Sequence, residues 1–127
     1  MRRFLALLLL PALMIGGAAS AAERAVYSPA VMQAAQAAGK PVIVHVVASW
    51  CSTCAAQVPV VMTLLKEPKY KDLLLLIVDF DKQKSVLRSY DVRAQSTFLA
   101  FKGKQEVGRS TGDTDKASIE ALFDKTS

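Results

Sequence analysis

The sequence predicts an α/β protein in which a central mixed sheet of about four strands carries helices on both faces. Two continuous apolar runs, residues 42–47 and 73–80, have the length and the residue content of buried strands. Helical patterns flank and separate these runs, and a hairpin signal followed by one more helical pattern ends the chain. Strands that alternate with helices and then form a hairpin are typical of a layered sheet covered on two sides.

Capping residues mark the first helix, and the first strand follows it directly. Ser28 is suited to cap a helix whose first turn contains Pro29, and Gly39 is suited to end that helix. The run 42–47 comes next and is β-branched except at His45. This composition predicts a strand that is buried on both faces.

The second helix and the second strand form the next unit. We expect the helix to begin near Cys51 and to run towards Lys66. Pro59 lies inside it and has no backbone N–H, so it should kink the helix. The strand 73–80 then follows and is predicted to be buried.

The remainder of the chain predicts a third helix, a hairpin and a closing helix. Asp81 is the expected cap of the third helix, which carries Val86, Leu87 and Tyr90. Residues 97–101 and 105–109 are predicted strands, joined by a Gly-Lys turn. Asp113 or Thr114 should cap the last helix, and its inward face should consist of Ile119, Leu122 and Phe123.

The first 21 residues have the three parts of a secretory signal peptide. Two arginines precede a short apolar core at residues 4–15, and small residues follow it. We expect cleavage after Ala21 or Ala22, which leaves a single domain at residues 22–127. An uncleaved N-terminal anchor is the alternative, but the apolar core is shorter than the ~20 residues that span a bilayer as a helix. The mature protein is therefore expected to be periplasmic or otherwise exported, where disulfides persist.

Composition and charge exclude several classes of protein. The 127 residues carry 16 basic and 11 acidic side chains, a formal charge of +5. Without Arg2 and Arg3 of the predicted leader the mature chain carries 14 − 11 = +3, which is too mild for a nucleic-acid-binding surface. Two cysteines and one histidine do not fill a closed four-ligand zinc site by themselves. We expect a monomer that does not bind nucleic acid.

The segment 50–54, with the sequence WCSTC, is the most informative one for chemistry. Two cysteines separated by two residues can close a small disulfide ring, and a structural staple is the simpler reading. Such a short loop, however, contributes only about 2 kcal/mol, whereas a loop of about 100 residues contributes about 4.7 kcal/mol. Cys51 also comes directly after a buried strand at a helix N-terminus, where unpaired amides favour the thiolate. Ser52 and Thr53 add hydroxyl donors but no charge, so we expect the Cys51 thiol to be moderately acidic.

With this motif the chain resembles the thioredoxin family over nearly all of its mature length. The strand–WCxxC–helix unit matches, Pro59 falls where the family kinks its active-site helix, and residues 78–112 follow the family pattern without a gap. Gly112 falls at the glycine that precedes the last helix of the family. The opening helix followed by GKPV is more similar to the C-terminal domain of the Dsb-group membrane thiol–electron transporter.

The resemblance implies roles for the residues of the motif. Cys51 would be the exposed nucleophile that attacks a substrate disulfide, and Cys54 the more buried thiol that resolves the mixed disulfide. Trp50 would shield the sulfurs and offer an apolar landing surface, and Ser52-Thr53 replaces the usual Gly-Pro. The resemblance implies no cofactor and no metal beyond a redox-active Cys51–Cys54 disulfide.

Three positions depart from the family pattern. His45 stands where the family buries an aspartate, and Ile77 stands where a lysine often accompanies it. His45 is either a core histidine satisfied by one hydrogen bond or an acceptor for the Cys54 proton. Ser96 replaces the cis-proline, so we expect a trans Gln95–Ser96 bond. Ser96 is then a tolerated loop residue, or it places a hydroxyl near Cys51, or it leaves room for a metal.

Two functions follow from these observations. The first is an exported thiol–disulfide oxidoreductase that exchanges disulfides with proteins outside the cytoplasm, on the reductase or isomerase side, with a membrane thiol–electron transporter as a candidate electron donor. The second is a metal-binding or metallochaperone module that uses Cys51 and Cys54, with Ser96 as a further candidate ligand.

Overall fold

The computed structural model describes residue 16 and residues 21–127. The signal-peptide prediction therefore concerns residues that lie, except for residue 16 and Ala21, outside the described part. The elements in chain order are β1 (Glu23–Val26), α1 (Pro29–Ala37), β2 (Pro41–Val47), α2 (Ser52–Leu64), a 3-10 turn (Pro68–Tyr70), β3 (Leu74–Asp79), α3 (Lys84–Ser89), β4 (Thr97–Lys102), β5 (Gln105–Thr111) and α4 (Lys116–Asp124). None of the helices in the described residues is long and apolar enough to cross a membrane.

The five strands form one mixed sheet in the order β1-β3-β2-β4-β5. The β1–β3 and β2–β3 pairs are parallel, whereas the β2–β4 and β4–β5 pairs are antiparallel. The predicted α/β class and the mixed sheet are confirmed. The two apolar runs are the adjacent central strands β2 and β3, which explains why both are apolar on both faces.

The expected count of about four strands is one too low, because β1 precedes the first helix. Its four residues pair with β3 along one edge of the sheet, from Glu23 opposite Leu74 to Val26 opposite Ile77. Three of the four are exposed, so the segment lacks the apolar alternation by which a half-buried strand is recognised. Pairing with β3, and not residue pattern, makes this segment a strand.

Helices cover both faces of the sheet, as predicted. The α1–α3 core lies on one face and is built from buried side chains that include Met32, Ala35, Val42, Val44, Val46, Leu76, Val78, Val86, Leu87 and Leu99. The α2–α4 core lies on the other and includes Ile43, Val61, Leu64, Leu75, Phe98, Ala100, Ile119, Leu122 and Phe123. Neighbouring residues of β2 belong to opposite cores because side chains alternate along a strand.

Two helices begin later than predicted because nearby aspartates first organise a turn. The Asp79 carboxylate accepts hydrogen bonds from the Asp81 and Lys82 amides, so α3 begins only at Lys84. At the last helix the cap is Asp115, whose carboxylate accepts from the Ser118 amide at 2.9 Å. The Ser28 cap of α1 and the inward face of α4 are confirmed.

Candidate active site

The two cysteines lie where the central strand β2 passes into helix α2. Cys51 is the N-cap of α2, and its Sγ atom accepts a hydrogen bond from the Cys54 amide at 3.0 Å. The two residues are joined by a disulfide with a Cα–Cα distance of 5.3 Å. The first turn of a helix brings residues three apart close together, and its free amides face the sulfur of the cap residue. The site is thus placed to stabilise a thiolate at Cys51 after reduction.

The expectation that Cys51 is exposed is wrong for this disulfide-bonded state. Cys51 is 6% exposed and Cys54 is 3% exposed. Both belong to a small apolar cluster with Ala48, and Val47 and Phe80 pack against this cluster. In this state the Cys51 sulfur is bonded to Cys54 and packs within this cluster. Both cysteines are buried to nearly the same extent in this state, so the roles of the two thiols stay predictions.

Trp50 points outwards beside the disulfide. Its side chain is 61% exposed, and its indole Nε1 donates a hydrogen bond to Asp81 Oδ2 at 2.8 Å. The ring meets Phe80 edge-to-face with centroids 6.5 Å apart, and Lys84 Nζ lies 4.2 Å from the Phe80 centroid. The ring is therefore an exposed apolar surface held in place by one hydrogen bond, as a landing surface requires, and not a core residue.

His45 is a buried histidine satisfied by one hydrogen bond, the simpler of the two readings of the sequence. It is 3% exposed, stacks on Phe98 with centroids 4.3 Å apart, and its Nε2 lies 2.8 Å from Gln57 Oε1. Burial lowers the pKa of His45 to about 4, although the bond to Gln57 acts in the opposite direction. Moving a proton to it from a thiol with an ordinary pKa of about 8.5 would cost about 6 kcal/mol. The neutral imidazole therefore favours a structural role over proton acceptance.

Gln57 is a site residue that the sequence analysis missed. It is fully buried, and its Nε2 donates to the backbone carbonyls of Ser96 at 3.1 Å and Asp113 at 2.8 Å. Because its Oε1 faces His45, all of its polar atoms are used. A signal was present in the sequence, since Gln57 shares the buried face of α2 with Cys54, Val61 and Leu64 at helical spacing. A polar residue on such a stripe requires partners in the core.

Ser96 lies at the same end of the sheet as the disulfide, because Val46 pairs with Thr97 across β2 and β4. The described residues contain no cis peptide bond, which confirms the expected trans geometry at Ser96. Its backbone is left-handed, with φ of 54°, and its carbonyl also accepts from the Gly112 amide at 2.9 Å. Within residues 21–127 its hydroxyl makes no hydrogen bond to Cys51 or Cys54 in the disulfide-bonded state, and its proximity to Cys51 stays a prediction.

The remaining predicted site residues are on the outer side of α2. Ser52 is exposed and Thr53 is half-buried in the first turn. Pro59 lies inside the helix, which continues through it to Leu64. Pro59 has no backbone N–H to donate to the Ala55 carbonyl, and both residues are exposed.

Among residues 21–127, the fold adds no third His, Cys, Asp or Glu ligand to the cysteine pair. In the part of the chain that the structure describes, no group of three or more His, Cys, Asp or Glu side chains is arranged to hold a metal ion. The residues around the sulfurs are instead apolar or hydroxyl-bearing. A metal-binding role for Cys51 and Cys54 stays a prediction.

A disulfide at a helix N-terminus, after the central strand of a mixed sheet, defines a thiol–disulfide exchange protein. The family comparison agrees with this class. The model of the thioredoxin family matches residues 22–125. The chain belongs to the thioredoxin family and is a thiol–disulfide oxidoreductase.

Individual relatives are similar over most of the domain. A thioredoxin H-type from Brassica campestris is 31% identical over 96 residues, which cover 76% of each protein. The crystal structure of Trxlp from Edwardsiella tarda EIB202 is 38% identical, with a TM-score of 0.75, and the match covers 80% of this chain and 97% of that one. A reduced Schistosoma mansoni thioredoxin pre-protein is 26% identical, with a TM-score of 0.69, over 85% of this chain and all of that one.

Proposed function

We propose that this protein works outside the cytoplasm and exchanges disulfides with exported proteins through Cys51 and Cys54, on the reductase or isomerase side. The single observation that carries the proposal is the combination of a three-part leader in the first 21 residues with a WCSTC motif in the same chain. The disulfide-exchange chemistry is inferred from the family membership, and the location outside the cytoplasm is inferred from the leader. Reduction in an oxidising compartment requires electrons, and a membrane thiol–electron transporter is the donor we propose.

The position of the first strand supports removal of the leader. β1 begins at Glu23, whose amide donates to the Leu73 carbonyl at 3.0 Å. Cleavage after Ala21 or Ala22 therefore leaves every described strand and helix whole. Ala22 is half-buried against the α2–α4 core, whereas Ala21 is exposed, which favours the cut after Ala21.

The surroundings of Cys51 support the reducing direction. Its sulfur receives one backbone hydrogen bond, and the two residues between the cysteines are uncharged. Strong oxidants owe their high potential to a greatly stabilised reduced thiolate. One amide and a helix N-terminus provide moderate stabilisation, so we expect a potential on the thioredoxin side of the range.

The test is capture of a mixed disulfide by the full chain carrying Cys54→Ser, produced in a bacterium with a periplasm. The proposal expects covalent adducts on Cys51 with exported proteins, recovered from the periplasmic fraction. Cys51→Ser is the matched control and should trap far less, because Cys51 is the helix N-cap whose thiolate the free amides stabilise, whereas Cys54 lies inside the helix. Adducts confined to cytoplasmic proteins would refute export. A reduction potential above about −180 mV, measured by redox titration against glutathione, would refute the reducing direction.

A further inference from the structure

We propose that Gln57 is a positioning residue for disulfide exchange: its buried amide fixes the backbone at Ser96, which lines the disulfide end of the sheet. The proposal rests on disulfide exchange at Cys51–Cys54, and not on export or on the direction of electron flow. Gln57 is three residues after Cys54, so it lies about one helical turn further along α2 than the resolving cysteine.

The orientation of the Gln57 amide is set by its partners. The Ser96 and Asp113 carbonyls are acceptors only, so the Gln57 Nε2 group must face them, at 3.1 Å and 2.8 Å. The Oε1 atom is thereby directed to His45, whose Nε2 must carry the proton of their 2.8 Å hydrogen bond. His45 is in turn held by stacking on Phe98. The neutral histidine therefore helps to fix the orientation of the Gln57 amide.

The backbone at Ser96 needs such support. With φ of 54° it has a left-handed conformation that is unfavourable for a residue with a side chain. Conformations of this kind persist only where the surroundings over-determine them, and they concentrate at functional sites. Both acceptor positions of the Ser96 carbonyl are used, by Gln57 Nε2 and by the Gly112 amide at 2.9 Å. Of these two donors, only Gln57 belongs to the helix that carries the disulfide.

The consequence is a direct connection between the disulfide helix and the facing loop. Ser96 precedes β4, and the register of β4 on β2 places it beside the end of β2 from which the cysteine motif starts. A partner protein whose backbone approaches Cys51 at this end must meet the Ser96 segment. A small disulfide can reach the sulfur without contacting an extended length of that segment. Loss of the amide should therefore impair exchange with proteins more than exchange with small molecules.

The kinetic test compares two probes, insulin and oxidised glutathione, with the Gln57→Met variant, which keeps the volume and removes all three hydrogen bonds. We expect kcat/KM for insulin to fall about tenfold or more, mainly through KM, and exchange with glutathione to change less than about twofold. The matched control is Val44→Ala, which opens a cavity in β2 on the opposite face, in the α1–α3 core. It should lower the urea midpoint comparably and leave both rates within about twofold. An equal loss for both probes in Gln57→Met, or no loss for insulin, would overturn the proposal.

A second variant covers a failure of Gln57→Met to fold. The double variant His45→Leu/Gln57→Met replaces both polar partners with apolar groups and so avoids an orphaned imidazole N–H. The same selective loss for insulin is expected, and unchanged insulin kinetics would refute the role of Gln57. If neither variant folds, Gln57 is a core residue only and the proposal fails. An independent check is the ¹⁵N spectrum of the single histidine of wild-type protein, which should place the proton on Nε2; a proton on Nδ1 would contradict the amide orientation.

Discussion

The buried histidine makes the stability of the oxidised protein depend on pH in a defined window. The pKa of His45 is lowered from 6.5 to about 4 in the folded protein, mainly by burial. An imidazole of the unfolded chain binds a proton as the pH falls below 6.5, whereas the folded protein resists it. The share of the free energy of unfolding that depends on a neutral His45 is therefore fully present above pH 6.5 and is lost progressively as the pH falls to about 4.

The magnitude follows from the difference between the two pKa values. Each pKa unit corresponds to about 1.4 kcal/mol, so the complete loss amounts to about 3 kcal/mol, of which about 2.5 kcal/mol is lost on going from pH 7.5 to 4.5. Small domains are stable by about 5–15 kcal/mol, so this one group controls a large share. In urea the loss corresponds to a shift of the midpoint on the order of 1–2 M.

The assay is equilibrium urea unfolding of the oxidised protein at several pH values between 7.5 and 4.5. His45→Gln is the matched variant, because a glutamine can donate a hydrogen bond to the Gln57 oxygen but does not titrate. Carboxylates contribute equally to both proteins, so the difference between the two curves isolates the histidine. We expect this difference to change by about 2.5 kcal/mol across the range. A difference that stays constant within about 0.5 kcal/mol would refute burial of a neutral imidazole.

Two further predictions concern the surface beside the disulfide and the outer hairpin. Asp81→Ala removes the acceptor of the Trp50 indole and should change the fluorescence of this single tryptophan and slow insulin reduction several-fold. The stability in urea should stay nearly unchanged because the pair is exposed. Unaltered fluorescence would contradict the 2.8 Å hydrogen bond. Gly108→Ala should lower the free energy of unfolding by about 1–3 kcal/mol, since the added Cβ would lie 2.8 Å from Leu122 Cδ1 against the packed α4 helix. If urea titration gives this variant the stability of the wild-type protein, the contact relaxes without cost.

Much of the fold follows from local residue patterns. The apolar runs of β2 and β3 predict central strands because a strand between two layers of helices has no polar face. The WCSTC spacing predicts the disulfide in the same way, since a helical turn determines how close residues three apart come. By contrast, β1 has no apolar alternation, so no local pattern distinguishes it from a loop.

The amino-acid sequence by itself determined the order of the other elements, the cysteine chemistry and the trans bond before Ser96, because each depends on neighbours within a few positions. Tertiary structure alone decided that Cys51 is buried in the disulfide form, that the Trp50 indole bonds to Asp81, and that Gln57 connects His45 to Ser96. These features require contacts between residues far apart in the chain. A buried polar group takes whichever partner the packed fold brings within hydrogen-bond distance, and residue type and spacing do not specify that partner.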